Sequence, residues 1–60
     1  MSEVRYVVEY RDNGMTCGEA FTVAKDALKD WDRRRSEGKT DVRVIRETLT
    51  REEITPQHKR

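Results

Sequence analysis

Six residues near the middle of this chain have the types and spacing to hold an anion. Lys25, Lys29 and Arg33 recur every four positions, and Arg33, Arg34 and Arg35 stand in a row just after Trp31. Guanidinium groups grip phosphate and carboxylate through paired hydrogen bonds, and an indole ring adds a face on which a cation can rest. Projected on a helical wheel, Arg34 and Arg35 continue the stripe of Leu28 and Trp31, whereas Arg33 joins Lys25 and Lys29 on the far side. Arg34 and Arg35 beside Trp31 are therefore candidate ligands for a small anion such as a nucleotide, held at a subunit boundary. The ridge of Lys25, Lys29 and Arg33, extended by Arg35, Lys59 and Arg60, is a candidate nucleic-acid contact. A plainer reading needs no ligand. Cations at a helix C-terminus complement its partial negative charge, and their stems cover a neighbouring indole. That reading is favoured, because helix C-termini often carry cations, and the acidic ridge of Asp26, Asp30 and Glu37 on the same helix weighs against nucleic acid.

Catalysis finds little footing. Cys17 is the only cysteine and His58 the only histidine, so neither a Cys/His nor a Ser/His/Asp set can be drawn. Cys17 reads as a small half-buried hydrophobe and His58 as a solvated tail residue. Asp12, Asn13 and Gly14 echo a calcium loop but lack its spacing and its terminal glutamate. The expectation is a protein that is not an enzyme and carries no metal and no cofactor. Tyr6 and Tyr10 invite a base-stacking role, yet they share their strand face with Val4 and Val8, which points to core packing.

Charge dominates the composition: 42% of the 60 residues are Asp, Glu, Lys or Arg, against 33% hydrophobic. The net charge is +1, which by itself names no partner. Residues 24–39 hold six cations and four anions, so the positive excess sits on the central segment. The start, Met1-Ser2-Glu3-Val4-Arg5, shows no basic stretch leading into an apolar run. No signal peptide and no membrane partner are expected, and a lone cysteine suits the reducing cytoplasm.

Three segments must position these groups. Val4, Tyr6, Val8 and Tyr10 alternate with Arg5, Val7, Glu9 and Arg11, the period of a half-buried strand. Asp12-Asn13-Gly14 then supplies residues that tolerate the positive φ of a tight hairpin. A second strand over 15–22 puts Met15, Cys17 and Phe21 on one face, with a bulge expected at Gly18. Ala24, Ala27, Leu28 and Trp31 form the stripe of a helix, with Thr22 as its N-cap and Gly38 just past its end. A third strand runs over 41–50. Val42 and Val44 share one face, and Ile45 and Leu49 share the other, so either a bulge intervenes or both faces are covered. Thr50-Arg51-Glu52-Glu53 has the pattern of a capping box and predicts a short helical turn before Pro56.

The expected fold class is α+β. It is a small β-β-α-β domain with a three-stranded, mostly antiparallel sheet of order 2-1-3 and one amphipathic helix packed on one face. The single domain spans residues 1–54 and a flexible polar tail covers 55–60. A chain of this size buries only about 60% of the surface its unfolded form exposes. Shared burial is therefore expected, and two free sheet edges offer a place for it. The leading functional expectation is a non-enzymatic protein-interaction module acting as a homo-oligomer, a dimer first of all, with a host or cognate protein as further partner. Nucleic acid binding or sequestration of an anionic ligand are the alternatives. In its small size, high charge and Met-Ser-Glu start, the chain is similar to accessory proteins of bacteriophages and other mobile elements. That resemblance implies a viral protein that inhibits or redirects a host macromolecule.

Overall fold

A computed structural model of the protein describes residues 3–48 and 50–56. The elements run β1 (Arg5–Asp12), β2 (Met15–Phe21), α1 (Ala24–Ser36), β3 (Thr40–Glu47) and β4 (Arg51–Glu53). They form one antiparallel sheet of order β2-β1-β3-β4, the expected 2-1-3 arrangement with a short fourth strand added beyond β3. The most apolar strand lies at the centre.

β1 and β2 join through Asn13 and Gly14, with φ of 56° and 79°, and Asp12 opposes Met15. Two consecutive positive φ values make this a two-residue turn whose twist matches the strands. Pairing then continues without interruption to Tyr6 opposite Phe21. No bulge forms at Gly18, which sits squarely opposite Glu9. The irregularity falls in β3 instead, where two residues, Asp41 and Val42, span the step that Tyr10 alone spans on β1. Asp41 takes φ 53°, a conformation that a short polar side chain tolerates better than most.

α1 begins later than Thr22. Phe21 is still paired in the sheet, so the chain needs Thr22 and Val23 to turn away from it. Val23 occupies the N-cap with no side-chain cap, and its carbonyl accepts from the amides of Asp26 and Ala27. The C-terminus follows expectation. Gly38 adopts φ 88°, its amide bonds to Arg35 O at 3.1 Å, and that of Lys39 bonds to Arg34 O at 3.1 Å. This is the doubled closure that a left-handed residue makes possible.

The predicted helical turn after Thr50 is a strand. Three residues ahead of a proline cannot repay the cost of nucleating a helix. Paired with β3, the same residues place Arg51 opposite Glu47 and Glu52 opposite Arg46, opposite charges across the ladder. Arg46 donates to Glu52, and Arg51 reaches Glu47 at 3.1 Å. The third strand accordingly ends at Glu47 rather than 50, and Leu49 lies outside the described residues.

α1 covers one face of the sheet. Val8, Ala27 and Val44 are fully buried between them, with Tyr6, Tyr10, Phe21, Trp31, Val42 and Ile54 packed around. On the opposite face Val7 pairs with Ile45, and Ile45 is buried although no helix lies there.

Candidate interaction site

The arginine row at the end of α1 splits. Arg34 lies over the ring of Tyr10, 4.7 Å from its centroid, and Arg35 lies over Trp31 at 4.6 Å. The two guanidinium groups therefore serve different rings and do not converge on one anion. Arg34 is further tied to Asp30 at 3.4 Å, Glu37 at 3.4 Å and Glu19 at 3.5 Å. Partial desolvation works against its charge. The charge of Asp30, its hydrogen bond and the charge of Glu37 outweigh that, holding the Arg34 pKa above the ordinary value. Arg33 donates to Asp30 at 2.7 Å. Lys25 and Lys29 are exposed on the helix. Lys59 and Arg60, which would extend the basic ridge, lie outside the described residues, as does His58.

Asp30 is the residue that sequence reasoning misplaced. It belongs to no exposed acidic ridge but is buried, receiving Arg33 on one oxygen and Arg34 on the other. The i,i+4 spacing to Arg34 signalled the pair. Its burial depends on where α1 meets β2, which spacing alone does not report. Trp31 is half-buried against the core, and its Nε1–H donates to Val42 O at 3.1 Å. That carbonyl lies on the outer side of β3.

Around it the outer side of β3 is covered from Val44 to Glu47. The Val44 amide donates to Thr55 Oγ1 at 3.0 Å, Val44 O accepts from the Ile54 amide at 2.7 Å, and β4 pairs with Ile45–Glu47. Of the two free edges expected, this one is reduced to the three charged residues of β4. Six alternating charges also tile the face away from the helix. Arg5 meets Glu47 at 2.5 Å, Glu47 meets Arg51 at 3.1 Å, and Arg51 meets Glu9 at 2.6 Å. Glu9 then meets Arg43 at 3.9 Å, and Arg43 meets Glu53 at 3.6 Å. Arg51 opposes Glu47 and Glu9 opposes Arg43, so the line between them passes diagonally over Ile45. The stem of Arg51 thus covers the apolar centre of this face. Ile45 is satisfied within one chain, and the two-sided apolarity of the third strand makes no demand for a second copy.

The other edge is β2, whose only neighbour is β1. Val44 turns its amide and carbonyl away from β1, so Val8 opposite it must turn its own toward β2. Strict alternation then directs the main-chain groups of Cys17, Glu19 and Phe21 to β1, and those of Thr16, Gly18 and Ala20 outward. All three outward residues are small, so no long side chain overhangs their amides. The strand carries one charge, Glu19. Met15, at its start, is 69% exposed, the most open of the large hydrophobic residues described.

Among the described residues no cluster of three or more His, Cys, Asp or Glu is arranged to hold a metal ion. No described helix is long and apolar enough to cross a membrane. Compared with known proteins, the chain matches no protein-family model, no curated protein and no solved structure.

Proposed function

We propose that the protein is a small non-enzymatic interaction module of the cytoplasm that acts as a homo-oligomer through the open edge of β2. One observation carries the reading. Trp31, Ile54, Thr55 and β4 cover the outer side of β3, while among the described residues no strand covers β2. Soluble proteins blunt such edges with charge, proline, bulges or cover, because unpaired main-chain groups recruit another strand. Strand addition is an established mode of recognition, in which the backbone supplies affinity and flanking side chains supply choice. Assembled, the module occupies a surface of a host or cognate protein, in keeping with its resemblance to accessory proteins of mobile elements. The ion pairs that commit Arg33 and Arg34 to Asp30 weigh against nucleic acid or a nucleotide as the primary ligand. Light scattering across a concentration series is expected to reveal a species larger than the 7.1 kDa chain. Solitary chains at the highest concentration would overturn the reading.

A further inference from the structure

We infer that the occupant of the β2 edge is the β2 edge of a second copy, running antiparallel about a two-fold axis through Gly18. The inference rests on the edge reading above and adds the partner and the register. An axis at Gly18 is the one that sets all seven residues of β2 against β2 of the second copy. Gly18 then faces Gly18, and Thr16 faces Ala20 of the second copy on either side. Every outward amide and carbonyl of both strands is used, about six main-chain hydrogen bonds.

Side chains agree with this register. On the helix side, exposed Met15 falls opposite the second copy's half-buried Phe21, apolar against apolar. Charge agrees as well. Glu19 of the second copy falls opposite Cys17, whose β1 neighbour is Tyr10, the ring beneath Arg34. Arg34 already holds its own Glu19 at 3.5 Å, so the incoming carboxylate arrives beside a guanidinium. The two glutamates, the only charges on the paired strands, lie diagonally across the axis and are not directly opposed, and each keeps its own Arg34 at 3.5 Å. The product is one continuous eight-stranded sheet with both helices on the same side. A single pair of seven-residue strands gives an interface at the small end of the specific class, so the dimer is reversible.

Disulfide scanning in the full-length chain reads the register directly. In a Cys17→Ser background, Gly18→Cys with oxidised glutathione is expected to yield a covalent dimer. Directly opposed, hydrogen-bonded residues lie about 5.5 Å apart at Cα, within disulfide reach. Thr16→Cys alone and Ala20→Cys alone are expected to stay unlinked, while an equal mixture of the two cross-links. Ala20→Pro removes one outward amide per copy and should weaken the dimer roughly tenfold or more. Proline is tolerated where an edge amide faces solvent, so Trp31 fluorescence and far-UV circular dichroism are expected to be unchanged. Met15→Glu, exposed in the single chain, tests the same contact if the proline variant fails to fold. It should weaken the dimer as well, and an unchanged dimer would overturn the register. A dimer whose cross-links favour Thr16 with Thr16 would also overturn the axis at Gly18, while leaving the edge reading intact. Absence of any dimer in the unmodified chain would overturn both.

Discussion

At one side of the sheet the chain doubles back, and at the other it simply stops. Beyond β3 lie three short residues of β4, all charged and each with an ion pair to a β1 or β3 residue, and Thr55 and Trp31 take the neighbouring main-chain groups. Beyond β2 no strand lies among the described residues, and the strand that ends the sheet there is longer, regular in register and almost uncharged. Both edges belong to the same small domain with the same shortage of apolar mass, so composition does not explain the contrast. Position does. α1 returns from β2 to β3 across the helix face, and the residues after β3 continue beside that strand and cover it. An edge that has been closed with side-chain caps, ion pairs and an extra strand contributes to the stability of one chain. An edge left open contributes only when something joins it.

The contrast can be broken most severely by deleting residues 51–60. That removes β4, uncovers Ile45, and takes away Ile54 and the Thr55 cap. Burying a side chain the size of Ile54 is worth about 1.5–3 kcal/mol, before the lost main-chain bonds are counted. A 60-residue domain with so few buried side chains is expected to unfold or aggregate, seen as loss of a cooperative melt. Asp30→Ala comes next. It removes the buried carboxylate that Arg33 and Arg34 share, leaving Arg34 only its contacts with Glu19, Glu37 and Tyr10, and should cost about 1–3 kcal/mol in chemical denaturation, where an exposed acidic ridge would cost almost nothing. Thr55→Val keeps the shape but leaves the Val44 amide without its acceptor. About 1–2 kcal/mol of destabilisation is expected, together with faster hydrogen exchange at Val44.

Smaller effects sharpen the picture. Arg51→Ala opens the ion network over Ile45 and is expected to have the smallest effect of these substitutions, one that shrinks in high salt as for other exposed pairs. Acid should act on the same network through Glu47. The hydrogen bond from Arg5 is the largest influence on its carboxyl, partial desolvation opposes it, and the charges of Arg5 and Arg51 add to it. The net result is a pKa below the ordinary glutamate value. Its stabilisation is therefore complete above the unfolded pKa and is lost as pH falls through the lowered one. An acid titration of the folded fraction is expected to show this loss, and Glu47→Gln should flatten it.

The elements themselves were legible along the chain. Alternation in 4–11, the Asn13-Gly14 pair, the stripe ending at Trp31 and the glycine at 38 each act through local sterics or local hydrogen bonds, and all appear where they were expected. The apolar placement of Tyr6 and Tyr10 was equally readable, because strand parity sets it. Residues 50–53 were misread for the opposite reason. Their capping-box pattern is a local signal, and it lost to cross-strand charge pairing with Arg46 and Glu47, partners that only the folded sheet brings near.

The candidate site divides the same way. The sequence by itself determined that cations would crowd the end of the helix and that the 15–21 segment would carry one charge, Glu19. Only the tertiary structure decided that Arg34 and Arg35 would part to different rings, that Asp30 would be buried between two arginines, and that Arg51 would reach across Ile45 to Glu9. Each of these depends on residues distant in sequence meeting at a particular register. Periodicity fixes which face a side chain takes, but not which neighbour from another element will meet it there.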